Sequence, residues 1–165
     1  MRKTEIEAKI EFINYKDTYK ADLKRLTLEW LEKYVVSVGS EDIEFMDNPI
    51  SCVVDKGGFV FLAKYHDEIV GTVSLYKLAD NKYELAKLAV TEKYKGQKIG
   101  KQLMQVAINK CKEICAAYII LYTMKTLEAA YSLYLQLGFV EIAEERQRYI
   151  EAAIIMELDL AKIQK

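Results

Sequence analysis

No apolar run among the 165 residues approaches the roughly 18 to 20 that a membrane-spanning helix needs. The opening residues, MRKTEIEAKIEF, hold no signal-peptide core. Together these absences point to a cytoplasmic protein with no membrane partner. Cysteine is scarce and odd in number, at Cys52, Cys111 and Cys115. An odd count argues against a disulfide framework, and the one histidine, His66, leaves little for a metal site, so no metal is expected. Cys111 and Cys115 stand four apart in a helical pattern and would share a face as small buried hydrophobes. Neither sign of charge dominates. With a net charge of −1, nothing draws the chain as a whole to nucleic acid or to an anionic surface. Repeats, low-complexity tracts and linkers are missing too, so no domain boundary is drawn.

What is there belongs to a soluble globular protein: 52% apolar and 30% charged residues. A chain of this length buries roughly 70% of its unfolded surface without staples. Residues 8–15 alternate apolar and polar and read as a strand. Asp17 or Thr18 can cap a helix over 19–36, where Leu23, Leu26, Leu31 and their neighbours keep helical spacing. A short helix from Ser40 stops at Asn48-Pro49. The Gly57-Gly58 turn then opens three strands, 59–65, 69–78 and 83–90, joined by tight turns as an antiparallel meander. A helix over 99–114, a continuous apolar strand over 118–123, a helix over 127–137 closed by Gly138, and strands over 139–143 and 153–160 complete the chain. The segment 144–151 between the last two strands is polar. The order is β-α-α-β-β-β-α-β-α-β-β, an α/β chain with one mixed, mostly antiparallel sheet flanked by helices.

Tyr94–Leu103, read YKGQKIGKQL, joins a strand to a helix through a glycine-bearing loop. Such a junction leaves free N–H groups at the positive end of a helix, an arrangement suited to a phosphate. Gly96 and Gly100 let the backbone approach a ligand where a Cβ would stand in the way. Lys95, Lys98 and Lys101 add positive charge, or mark an ordinary solvated helix start. A Rossmann or P-loop reading fails, because the loop lacks G-x-G-x-x-G and G-K-[ST] and follows a meander instead of the first strand of a βαβ unit.

This order of elements, with that loop after the fourth strand, resembles the GNAT family of N-acetyltransferases, and the resemblance covers nearly the whole chain. The family pattern EL-x-x-L-x-V-x-x-x-Y-[QR]-G-x-G-x-G is matched by YELAKLAVTEKYKGQKIGKQL, and A-x-x-L-Y-x-x-x-G-F by Ala130, Leu133, Tyr134, Gly138 and Phe139. The front of the chain is similar to a bacterial subgroup of small acetyltransferases of undefined substrate. Three positions depart from the pattern. Lys95 stands for Gln or Arg. Lys98 stands for the middle glycine, which is tolerable as long as that residue does not need positive φ. Met124 stands where many members carry an Asn that contacts the pantetheine arm.

The resemblance implies a single N-acetyltransferase domain, 1–165, with acetyl-CoA as cosubstrate and direct attack of a substrate amine on the thioester. It places Leu88, Ala89 and Val90 along the pantetheine, with Leu88 or Val90 offering an oxyanion N–H. Lys95, Gly96, Gln97, Lys98, Ile99, Gly100 and Lys101 then lie on the pyrophosphate, and Thr123, Ala130 and Tyr134 also contact the cofactor. Tyr134 matches the acid that meets the departing thiolate, against the alternative of an aromatic packed on its helix. Glu84 matches a base acting through water, against a solvent-facing strand residue or a structural ion pair. His66 reads as exposed turn chemistry. Acceptor contacts fall to the first two helices, the loop before the second strand and 144–151. The acidic Glu29, Glu32, Glu41, Asp42 and Glu44 would suit a cationic amine, small-molecule or protein-borne, or are ordinary solvated helix faces. A non-catalytic acyl-CoA-binding or regulatory module that kept the fold is the alternative. A homodimer formed through the last strands is compatible with the enzyme.

Overall fold

The computed structural model describes residues 9–34, 37–143 and 153–163. One seven-stranded sheet organises them. β1 (Ile10–Asn14), β2 (Phe59–Tyr65), β3 (Glu68–Ala79) and β4 (Lys82–Val90) each pair antiparallel with the next. β5 (Tyr118–Met124) joins β4 in parallel. β7 (Ala153–Asp159) pairs with β5, and β6 (Val140–Ile142) with β7, both antiparallel. The order across the sheet, β1-β2-β3-β4-β5-β7-β6, is the expected mixed and mostly antiparallel α/β architecture. The polar segment 144–151 falls outside the described residues.

Apolar side chains alternate along β2 and so feed two cores. Phe61 and Ala63 face α3 (Ile99–Glu113), whose Leu103, Met104, Ala107, Ile108 and Cys111 are buried against Val73, Leu75, Leu85 and Ile119. Val60 and Leu62 face the other way, onto α1 (Lys20–Tyr34) and α2 (Ser40–Asp47), through Leu23, Leu26, Phe45 and Met46. Each fully buried leucine stabilises the fold by roughly 1.5–3 kcal/mol relative to an exposed one. α4 (Glu128–Gln136) follows β5, and a single turn, α5 (Leu160–Ile163), follows β7. The Asn48-Pro49 break runs into a wide turn at Ile50–Val54, where the Asp55 N–H donates to the Ile50 carbonyl at 2.8 Å. No helix among the described residues is long and apolar enough to cross a membrane.

Two local expectations are corrected. Neither Asp17 nor Thr18 caps α1: residues Asp17–Tyr19 form a 3₁₀ turn that runs into the helix, and the Asp17 carboxylate accepts a bond from the Tyr15 hydroxyl at 3.1 Å. Cys111 and Cys115 do not share a helix face. α3 ends at Glu113, and Cys115 lies beyond it, exposed, at φ +61°. There its N–H bonds the Lys112 carbonyl and the Ala116 N–H bonds the Cys111 carbonyl, the paired closure of a helix C-terminus. Gly138, at φ +100°, closes α4 in the same way, as expected.

Candidate active site

β4 and β5 pair at only three positions, Lys82, Tyr83 and Glu84 against Tyr118, Ile119 and Ile120. Beyond Glu84 the strands part. β5 stays paired with β7 along its whole length, so Leu85–Val90 of β4 and Leu121–Met124 of β5 line the two arms of a V. A bulge sharpens the gap on the β4 side. Ser74 of β3 opposes Ala86 while Thr72 opposes Ala89, which leaves one extra residue within Lys87–Leu88, and Lys87 takes φ +57°. The Thr91 N–H donates to the Val70 carbonyl at 2.9 Å. Residues two apart in an antiparallel ladder face the same partner, so Ala89 also faces β3 and the Val90 N–H faces the gap, with Leu88 beside it in the bulge.

The loop that follows carries the chain from β4 into α3 at the mouth of this V. After a 3₁₀ turn at Glu92–Tyr94, Gly96 takes φ +80° and Lys98 φ +63° with ψ +19°. The expectation for Lys98 is thereby corrected: its position does use the left-handed region, so a lysine there is strained where glycine would not be. The first helical bond runs from the Gln102 N–H to the Lys98 carbonyl at 3.1 Å. Among the described residues, none of the N–H groups from Gly96 to Lys101 donates to a backbone oxygen, as the open end of a helix requires.

A Cβ at Gly96 would meet nothing within 4 Å, and one at Gly100 only Val90 Cγ2 at 3.8 Å. Gly100 is needed neither by its φ nor by protein packing. The open space over it, beside Val90, is a cradle a side chain would fill. The lysines divide. Lys95 turns back onto the protein, 2.8 Å from Glu92 and 2.9 Å from the Tyr34 hydroxyl, while Lys98 and Lys101 are exposed.

The remaining residues stand around the V. Glu84 sits at its apex, paired with Tyr76 on one side and Ile120 on the other. Thr123, buried, lies on the β5 arm, and Met124 ends that strand. Ala130 and Tyr134 lie about a turn apart on α4. Tyr134 is 9% exposed, its ring 6.2 Å from that of Phe139, and burial pushes its phenol up to about 12. Burial, and then the charge of Glu84, also push the Tyr76 phenol up.

Two of the five acidic residues at the front are not simply solvated. Glu29 accepts bonds from the Thr91 hydroxyl and the Glu92 N–H, the latter at 2.8 Å, and so fixes the exit of β4. Asp42 accepts the Gly39 N–H at 2.9 Å and pairs with Lys87 at 2.7 Å. Burial pushes the Asp42 carboxyl up, but Lys87 and the Gly39 N–H outweigh it and hold it below its ordinary value.

Residues 21–139 match the model of the Acetyltransferase (GNAT) family. The chain belongs to the GNAT family of acetyltransferases. A GNAT-family acetyltransferase structure from Staphylococcus aureus superposes with a TM-score of 0.79 at 28% identity, over 92% of this chain and 99% of that one. The PaiA N-acetyltransferase of Thermoplasma acidophilum, solved in complex with coenzyme A, superposes with a TM-score of 0.72 at 22% identity, over 91% and 98% of the two chains. An uncharacterized N-acetyltransferase of Dictyostelium discoideum is 43% identical over 58 residues, a stretch that spans 35% of this chain and 27% of that protein.

In this GNAT chain the fold brings together Leu88–Val90, Gly96–Lys101, Glu84 and Thr123 along one V and its mouth, with Ala130 and Tyr134 on the helix after β5. It turns the Lys95 side chain away. The contact of Lys87 with Asp42 and the pairing of Tyr76 with Glu84 were not legible in the sequence. A lysine inside the strand motif was the one available signal, and its partner lies 45 residues earlier in the chain.

Proposed function

We propose that this protein, acting as one domain over residues 1–165, is an acetyl-CoA-dependent N-acetyltransferase in which a substrate primary amine attacks the thioester directly. The observation that carries the reading is the V between β4 and β5. One arm offers the Val90 N–H, with Leu88 beside it in the bulge, and the mouth opens on the unbonded N–H groups at the start of α3. Acetyl-CoA supplies an activated acetyl group on a sulfur. The amide-bearing arm of such a molecule suits the free edge of β4, as an added strand would. Its pyrophosphate suits the N–H groups of Gly96–Lys101 and the uncrowded face of Gly100. Thr123 and Ala130 flank the opposite arm.

The residues then divide the work. The Leu88 N–H, in the bulge beside the gap, stabilises the oxyanion as the amine adds. Tyr134, with its phenol near 12, stays protonated at neutral pH, so it serves as a donor to the departing thiolate and not as a base. The raised Tyr76 phenol is unsuited to a base for the same reason. Glu84, at the apex and matching the base of the family pattern, takes the amine's proton through water. Positioning of amine and thioester along a rigid strand edge supplies much of the rate. Glu41 and Glu44 give the α2 side an acidic entrance, which favours an acceptor that arrives as an ammonium ion.

A thiol-release assay with acetyl-CoA and a panel of small and peptide amines tests this. Amine-dependent release is expected, with Tyr134→Phe lowering kcat by roughly a hundredfold and leaving the KM for acetyl-CoA little changed. Tight acetyl-CoA binding with no turnover on any amine would contradict it and favour a non-catalytic acyl-CoA-binding module.

A further inference from the structure

The bulge of β4 is held from outside by a contact that the reaction above does not use. Lys87 adopts φ +57° within it, in the left-handed region. Its ammonium reaches across to α2, 2.7 Å from Asp42 Oδ1, with the two side chains 24% and 19% exposed. Both partners of this ion pair are thus largely sheltered from solvent. The same ammonium stands 5.5 Å from the centre of the buried Phe45 ring. Asp42 Oδ2 accepts the Gly39 N–H and so anchors the start of α2. One carboxylate thus ties together the first turn of α2 and the residue that immediately precedes Leu88.

We propose that Lys87 is a positioning residue: its ion pair with Asp42 and its seat on Phe45 hold the bulge in the left-handed turn that aims the Leu88 N–H into the V. The inference rests on the oxyanion role given above to Leu88. A left-handed lysine is disfavoured on its own, so a released side chain lets the backbone drift toward an ordinary strand conformation. Because the side-chain period of a strand is two, removing the extra residue's kink turns the following N–H away from the gap. The pyrophosphate loop lies beyond Val90 and is anchored separately, by Glu29 on Thr91 and Glu92. Loss of the pair therefore falls mainly on the chemical step, because the pyrophosphate N–H groups keep their own anchor. It also makes the donor sensitive to α2, the wall on the acceptor side, so an acceptor that shifts α2 adjusts the donor.

The test compares full-length wild type, Lys87→Met, Asp42→Asn, the double variant and Lys87→Arg. Steady-state kinetics, acetyl-CoA titrations and the Leu88 amide NMR resonance are read for each. Expected are a roughly ten- to hundredfold loss of kcat in each single Lys87→Met and Asp42→Asn variant, with the acetyl-CoA Kd within about twofold of wild type. The double variant should be no worse than the worse single, because both remove one contact. Lys87→Arg should retain most of the activity, and the Leu88 amide should shift in both singles. Multiplying losses in the double variant, an unmoved Leu88 amide, or kcat within about twofold of wild type in the singles would overturn the proposal. If the wild type binds acetyl-CoA but acetylates nothing, the enzymatic reading fails, and the Leu88 amide still decides whether Lys87 sets the bulge.

Discussion

At φ +63° Lys98 holds the left-handed turn that aims the start of α3 at the mouth of the V, a conformation that costs a residue with a Cβ roughly 1 kcal/mol against glycine. Its side chain is exposed. Lys98→Gly is therefore expected to raise the thermal midpoint by about 2 °C in calorimetry. The same change should weaken acetyl-CoA binding modestly and more at low salt, since it removes a mobile cation beside the phosphates. Gly100 makes the opposite case. A side chain there meets only Val90 Cγ2 at 3.8 Å, so Gly100→Glu should fold with a midpoint near wild type yet abolish acetyl-CoA binding in a titration. Unchanged binding would remove the pyrophosphate from this loop. Tyr134 titrates from an ordinary value near 10 when unfolded to about 12 when folded. Its neutral form is favoured by the fold, so its contribution is intact below pH 10 and is lost as pH rises from there toward 12. Tyr134→Phe should flatten that part of the stability-against-pH curve.

Elements were legible in proportion to how local their causes are. The meander was readable because Gly57-Gly58, His66-Asp67 and Asp80-Asn81 are turn chemistry between apolar runs, and β2, β3 and β4 follow those turns. Gly138 marked the end of α4 because glycine takes positive φ at no steric cost. Cys115 performs the same closure for α3 at φ +61° and gave no signal, since the residue type does not announce it. The V itself is a place where pairing stops, and a missing ladder leaves no trace in the hydrophobic pattern of β4. The bulge behaves likewise, since the Lys87 side chain within it meets Asp42 and Phe45 on α2, far away in the chain. The candidate site followed the same rule. Gly96 and Gly100 could be picked out by residue type, whereas the turning of Lys95 onto Glu92 and Tyr34 depends on α1 lying beside the loop.

At the scale of the molecule, two cores on opposite faces of one sheet clamp the strands whose divergence makes the site. The α3 core fixes the end where the proposed pyrophosphate loop opens, and the α1–α2 core packs beneath the helices that bear Glu29, Glu32, Glu41, Asp42 and Glu44. Such an arrangement needs no rearrangement of the sheet to admit a thioester, only the filling of a gap already present between β4 and β5. Acetyl-CoA at a hundredfold its Kd should stabilise the fold by about 2.7 kcal/mol through mass action alone. Backbone amide exchange, measured with and without acetyl-CoA, tests the central claim most directly. The account predicts slowing of at least roughly tenfold at Leu88, Val90 and the amides of Gly96–Lys101, together with little change along β1. Exchange at Leu88, Val90 and Gly96–Lys101 that is the same in the presence of saturating acetyl-CoA would contradict it.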